Sequence, residues 1–225
     1  MIDNAMRAVL PRFVDPVLAV YRRFGWTPNQ VTGAGLAIAV VASLAVAFHF
    51  WWAALLIWWI SRLVDGTDGI WARASGQTSD FGAYLDITAD MAAYGAMVLG
   101  FAIARPDLQL WWMAILFLYI LCITTALSLG SQEARLGRAP RDDRGLRLGA
   151  GLAEGGETGI AYSLFLVFPS QLTLLASAWV VVLVVTVLAR SVLALRILSS
   201  EPVVSDAGRR SDASPGDPTP ETLEV

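Results

Sequence analysis

The sequence predicts an all-α membrane protein of six transmembrane helices preceded by an N-terminal amphipathic interfacial helix. Three observations predict it. The chain is 56% hydrophobic with nine Trp, and its apolar stretches repeatedly exceed the roughly 20 residues that cross a hydrocarbon core. Those stretches follow one another with no polar block large enough to build a core of its own, so one helical membrane domain is expected and a soluble catalytic domain is excluded. Arginines crowd into one set of connections and are almost absent from the other, the pattern of a multi-pass protein with a fixed orientation.

Residues 1–26 form the first expected element. Ile2, Met6, Val9, Leu10, Phe13, Val14, Val17, Leu18 and Tyr21 recur at helical spacing, with Arg and Asp largely on the other face and a break at Pro11. Such a segment lies in the plane of the interface. Arg7, Arg12, Arg22 and Arg23 interrupt its apolar positions, so it does not resemble a cleavable signal peptide. Residues 27–198 then hold the six spans.

Thr27, Pro28 and Gln30 supply an N-cap, a first-turn proline and a capping-box glutamine, starting a span that runs to about Phe50. A second, rich in Trp, runs from Trp51 to about Ala74. The segment Ser75–Asp80 is a turn in which Ser79 or Asp80 caps the next helix. The third span is expected over 81–104, with Arg105, Pro106 and Asp107 as a short exit loop. A fourth covers 108–129, a fifth 152–168 and a sixth 171–198. The tail 199–225, rich in Ser, Pro, Asp and Gly, has too few apolar residues to offset the entropy of ordering and is expected to be disordered.

Orientation follows from arginine positions. The amino-terminal helix carries four, the connection between spans four and five carries Arg135, Arg138, Arg141, Arg144 and Arg147, and the far side carries only Arg105. Both termini are therefore expected in the cytoplasm of a cell (inner) membrane protein.

Four carboxylates stand out against this apolar background. Each charge within a membrane helix costs about 2.5 to 3.5 kcal/mol, so a cation must join them. Asp65 and Asp68 are three apart and Asp86 and Asp90 four apart, so each pair projects from one helix face. The hairpin turn places the pairs at similar depth, at about 1.5 Å rise per residue. Carboxylate oxygens without His or Cys suit Mg²⁺ or Mn²⁺. Two divalent ions about 3.5 to 4 Å apart would form a clamp for phosphoryl transfer. Gly69, Ala72 and Gly82 leave room for an extended ligand between facing helices, and Arg73 offers a planar fork for a phosphate at the cytoplasmic mouth.

Written out, Asp65, Asp68, Gly69, Ala72, Arg73, Gly82, Asp86 and Asp90 reproduce the spacing D-x2-DG-x2-AR-x8-G-x3-D-x3-D at all eight positions. This resembles the signature of the CDP-alcohol phosphotransferase family, and the resemblance extends over about residues 1–198. It implies transfer of a substituted phosphate from a CDP-linked donor such as CDP-diacylglycerol to an acceptor alcohol, with release of CMP, in phospholipid biosynthesis. It further implies that Asp65, Asp68 and Asp86 hold two divalent ions, and that Asp90 completes the metal site and acts as general base. Gly69, Ala72 and Gly82 would line the cytidine pocket, with Arg73 on the phosphates. Families resembling this one commonly form homodimers. No nucleic-acid partner is expected.

A cation-coupled transporter is the alternative, since intramembrane carboxylates mark ion pathways. Such a protein would usually show internal repeats and acids near the midplane, and neither is evident. Glu154 and Glu157 can cap the fifth span through the helix dipole or shape an acceptor pocket. Arg135 and Arg138 in the arginine-rich connection either fix topology or bind an anionic acceptor. Asn29 and Thr32, at the cytoplasmic end of the first span, either cap it or reach a phosphate. His49 lies at the opposite end and is not expected to be a ligand, and Cys122 is expected to be a packed thiol.

Overall fold

The computed structural model describes residues 11–136 and 155–199. Arg138, Arg141, Arg144, Arg147, Glu154, the first ten residues and the tail from 200 onward lie outside the described residues. Seven α-helices follow in order among the described residues: α1 (Pro11–Phe24), α2 (Pro28–Ala47), α3 (Trp51–Ser75), α4 (Asp80–Ala104), α5 (Gln109–Arg135), α6 (Gly155–Val167) and α7 (Leu172–Leu198). Two short 3-10 turns, Pro106–Leu108 and Pro169–Gln171, precede α5 and α7.

The expected start signals act as helix caps. Thr27 Oγ1 accepts from the Gln30 amide at 3.4 Å while the Thr27 amide donates to Gln30 Oε1 at 2.9 Å, which satisfies two amides that the first turn of α2 leaves without helical partners. At the hairpin, Gly76 ends α3 with φ 67°, a left-handed conformation that costs glycine nothing. Ser79 Oγ then accepts from the Gly82 amide at 3.0 Å and opens α4.

Among the described residues, four helical stretches are long and apolar enough to cross a membrane: Pro28–Ala47, Asp80–Ala104, Pro106–Arg135 and Pro169–Leu198. That apolar set is smaller than the expected six for two physical reasons. α3 has the length, but Arg62, Asp65, Asp68 and Arg73 interrupt its apolar run, and α6 has only 13 described residues.

Two expectations are corrected in detail. The fourth span extends beyond Leu129 to Arg135, because polar Ser131, Gln132 and Glu133 are compatible with a continuing helix. The exit after α4 is an ordered 3-10 turn rather than a plain loop. Arg105 grips Asp107 through two bonds, Nε to Oδ1 at 2.8 Å and Nη2 to Oδ2 at 2.7 Å, and the Arg105 carbonyl accepts from Trp112 Nε1 at 3.1 Å.

The main core is aromatic. Trp58, Phe101, Trp112, Tyr162 and Phe165 are fully buried, with Phe101 stacked on Trp112 at 5.3 Å and Trp58 edge-on to Tyr162 at 5.3 Å. Cys122 is buried within this cluster, as a packed thiol. α2 packs against both arms of the hairpin through small residues. A β-carbon added at Gly35 would lie 3.4 Å from the Asp65 β-carbon and amide, and Ser61 Oγ donates to the Gly35 carbonyl at 2.8 Å. On the α4 side, Ser43 Oγ donates to the Ala96 carbonyl and abuts Gly100, where any side chain would collide with the Ser43 backbone. The close approach fixes the depth of Asp65 relative to α2.

α1 buries Val14, Leu18 and Tyr21 against Val31 of α2 and Trp71 of α3. Trp71 Nε1 donates to the Trp26 carbonyl at 2.8 Å, and Tyr21 stacks on Trp26 with centroids 6.0 Å apart. One face of α1 is thus tied to the same helix that carries Asp65 and Asp68.

Candidate active site

The carboxylates meet where α2, α3 and α4 converge. Asp65, Asp68 and Asp86 each offer an oxygen, and these three atoms all lie within 4.8 Å of one another. Asp68 is buried and oriented by two donors, with Thr32 Oγ1 2.5 Å from its Oδ2 and the Gly69 amide 2.5 Å from its Oδ1. Thr32 is therefore more than a cap: its hydroxyl stands between the Pro28 carbonyl, at 3.2 Å, and the Asp68 carboxylate. Asp65 presents one oxygen, Oδ1, that is buried without a hydrogen-bond partner.

A cation is indeed present, and the sequence reasoning passed over it. Arg62 Nη1 donates to Asp90 Oδ1 at 2.7 Å and approaches Asp65 Oδ2 at 3.4 Å, with Arg62, Asp65 and Asp90 side chains only 10%, 13% and 16% exposed. The guanidinium lies 4.7 Å from the Trp58 ring centroid and 5.5 Å from that of Tyr94, and its Nη2 donates to Ser61 Oγ at 3.1 Å. Two signals pointed to it: Arg62 precedes Asp65 by three residues, one helix face, and buried acids demand a countercharge. Asp90 belongs to this ion-paired group rather than to the compact trio formed by Asp65, Asp68 and Asp86.

The remaining motif positions surround the acids. A β-carbon at Gly69 would lie 3.5 Å from Arg73 Nη1, so the exposed guanidinium of Arg73 folds back over Gly69, one turn earlier on α3. A β-carbon at Gly82 would lie 3.2 Å from Ser79 Oγ and 3.4 Å from Asn29 Oδ1, which brings Asn29 to the mouth beside Gly82. Ala72 is half-buried near the end of α3, where its carbonyl accepts from the Gln77 amide at 2.9 Å.

Below this mouth, Tyr21 reaches in from α1. Thr67 Oγ1 donates to the Val64 carbonyl at 2.6 Å, so the 2.9 Å contact with Tyr21 has the phenol as donor. Burial raises the Tyr21 phenol above its ordinary pKa, and the Asp68 charge adds to this. Beside the same residue runs an apolar groove of about 410 Å³ bounded by Val17, Val20, Trp26, Ile38 and Val64.

Glu157 sits in the first turn of α6 with Oε2 buried and without a hydrogen-bond partner, while Arg135 is exposed at the end of α5. Arg138 and Glu154 lie outside the described residues. His49 stands at the turn after α2, 3.1 Å from the Ala104 carbonyl, at the opposite end of that helix from Thr32.

The donor set fits a hard divalent cation. Its ligand atoms are all carboxylate oxygens, and the buried, unpartnered Asp65 oxygen has the character of a ligand whose partner is an ion. Four acids against one buried guanidinium leave an excess of negative charge, an arrangement suited to binding further cations.

Comparison with known proteins gives a consistent result. The family model described as CDP-alcohol phosphatidyltransferase matches residues 26–150. A phosphatidylinositol phosphate synthase of Mycobacteroides abscessus is 31% identical over 157 residues, covering 66% of this chain and 65% of its own length, just under two thirds. The inner membrane protein YnjF of Escherichia coli is 28% identical over 173 residues, covering 76% of this chain and 84% of its own. Among solved structures, Mycobacterium tuberculosis phosphatidylinositol phosphate synthase with CDP-DAG bound superposes with a TM-score of 0.61 at 25% identity, over 82% of this chain and 94% of that one.

Proposed function

This chain belongs to the CDP-alcohol phosphatidyltransferase family, transferases of substituted phosphate groups, and from that premise we propose that it moves a phosphatidyl group from CDP-diacylglycerol to an acceptor alcohol and releases CMP. The observation that carries the reading is the convergence of Asp65, Asp68 and Asp86 within 4.8 Å beside Asp90, on a hairpin whose mouth holds Gly69, Gly82 and Arg73.

Asp65, Asp68 and Asp86, with Asp90, would hold two divalent ions, Mg²⁺ or Mn²⁺. Bound there, the ions would neutralise the diphosphate and stabilise the charge that develops on transfer. Arg73 binds phosphate oxygens as a fixed fork at the mouth. Gly69, Ala72 and Gly82 keep the entrance clear for the flat cytidine. Asp90 accepts the proton of the acceptor hydroxyl as that oxygen attacks the phosphorus carrying the diacylglyceryl group. The bond from this phosphorus to the bridging oxygen then breaks, and CMP departs with the electron pair. The apolar groove beside Tyr21 suits an acyl chain of the lipid, which is the physical reason for preferring a diacylglycerol donor to a soluble one.

Under the same proposal, α2 to α7 are the six spans, α1 lies in the headgroup layer, and the acidic site and both termini face the cytoplasm. Residues 27–198 are the catalytic unit. A phosphate-bearing acceptor is preferred, with the arginines that include Arg135 and Arg138 as its anion contacts, and Asn29, Glu154 and Glu157 as further candidates for the pocket. A homodimer is the proposed assembly. The family match and the lack of an internal repeat weigh against a cation-coupled transporter.

The test is CMP release by the purified protein in detergent with Mg²⁺ or Mn²⁺, CDP-diacylglycerol and a panel of free and phosphorylated alcohols, with lipid products identified by mass spectrometry. CMP formed together with one new phospholipid is the expected result. Absence of CMP with every acceptor and with other CDP-linked donors, alongside cation-driven solute uptake in proteoliposomes, would reverse the reading.

A further inference from the structure

We propose that Arg62 is a positioning residue for the transfer reaction, one guanidinium holding the metal-ligating Asp65 and the base Asp90 in a common frame. The proposal rests on the transferase reading above. Arg62 lies outside the eight-residue motif, yet its Nη1 spans from Asp65 on α3, at 3.4 Å, to Asp90 on α4, at 2.7 Å. A single nitrogen shared by two acids on different helices fixes their separation as well as their charge.

The guanidinium itself is held through both terminal nitrogens and across its ring-facing plane, while Nε is buried without a hydrogen-bond partner. Trp58 and Tyr94 face it at 4.7 and 5.5 Å, a cation–π contact that favours one orientation of the plane. Ser61 Oγ accepts from Nη2 at 3.1 Å and in turn donates to the Gly35 carbonyl at 2.8 Å, which references the group to α2 as well. Three helices thereby determine where Nη1 stands, and Nη1 determines which oxygens of the two carboxylates face it. It engages Oδ2 of Asp65 and leaves Oδ1 of the same residue buried without a hydrogen-bond partner, turned to a different task.

Charge neutralisation alone would be a lesser role, and any cation at this place would meet it. Positioning needs the planar fork, because displacement of a reacting group by about 1 Å can cost roughly 100-fold in rate. Lysine keeps the charge but replaces the fork by a point donor on a flexible stem. The two roles therefore predict different outcomes for Arg62→Lys.

The experiment measures kcat, donor KM and Mn²⁺ affinity for the parent, Arg62→Lys and Arg62→Gln, with Mn²⁺ binding read by electron paramagnetic resonance in the absence of substrate. The expected result is a kcat about 100-fold lower in both variants, with donor KM within about threefold and Mn²⁺ affinity lowered by no more than about tenfold, the loss expected when a group that orients a ligand is removed while the ligands themselves remain. Parental kcat in Arg62→Lys overturns the proposal in favour of neutralisation. Loss of Mn²⁺ binding together with kcat in Arg62→Lys overturns it in favour of a folding role, and that variant remains decisive if Arg62→Gln does not fold. A parent that forms no CMP rejects the transferase reading and this proposal together, whereas an active parent with unaffected variants rejects the proposal alone.

Discussion

Asp65 and Asp90 share one guanidinium but are placed for different work. Asp65 contributes an oxygen to the trio and has Oδ1 buried without a hydrogen-bond partner, so Asp65→Asn should weaken Mn²⁺ and donor binding together, by about 10-fold or more in calorimetric titrations. Asp90→Asn should lower kcat by about 10² to 10⁴ in CMP-release assays while donor affinity stays near parental. Equal binding losses in the two variants would cancel this division of labour. The spacing of the eight motif residues was enough to bring these acids together on paper, because helical periodicity and a short hairpin leave few alternatives. Arg62 was not legible in the same way. Its contacts with Asp90, Trp58 and Tyr94 depend on the rotamer of a long side chain reaching across helices, which spacing does not encode. Under the proposed function Arg73, exposed over Gly69, would meet the donor rather than the reacting bond, so Arg73→Ala should raise donor KM about 10-fold with a smaller change in kcat.

Helices α2, α3 and α4 are seated by small residues, and the site inherits its geometry from that seating. Gly100 meets the Ser43 backbone with no room for a side chain, so Gly100→Leu should destabilise the protein by about 1 to 3 kcal/mol or more, read as a lower midpoint of thermal unfolding in detergent. A parental midpoint would mean that α2 and α4 are free to separate. Thr27→Ala removes the acceptor for the Gln30 amide and should cost about 1 kcal/mol by the same measurement. Caps were readable in advance because they are local: Thr27, Pro28, Gln30 and Ser79 act within four residues of themselves. The 3-10 turn at Pro106–Leu108 was not, since part of what secures it is Trp112 Nε1 reaching back seven residues to the Arg105 carbonyl, farther than a cap signal extends. The reach of α5 to Arg135 was missed for a related reason: a polar stretch ends an apolar pattern without ending a helix.

At the scale of the whole molecule, an excess of buried negative charge makes folding and metal binding two parts of one equilibrium. Mn²⁺ at about 100 times its dissociation constant should stabilise the protein by about 2.7 kcal/mol, and EDTA should abolish that gain together with CMP release. A melting curve indifferent to Mn²⁺ and EDTA would contradict a metal held by the trio. The all-helical architecture was legible from the long apolar stretches, whereas α3 falls outside the set of clearly apolar helices because Arg62, Asp65, Asp68 and Arg73 break the apolar signature on which such readings depend.

The phenol of Tyr21, bonded to Thr67 one residue before Asp68, joins a helix proposed to float among lipid headgroups to the backbone that aims one carboxylate of the trio. With α1 so placed, lateral pressure in the bilayer would push on that helix, and the push would have a short mechanical route to the acidic trio. Turnover would accordingly track the crowding and curvature of the leaflet that the enzyme's own product helps to build.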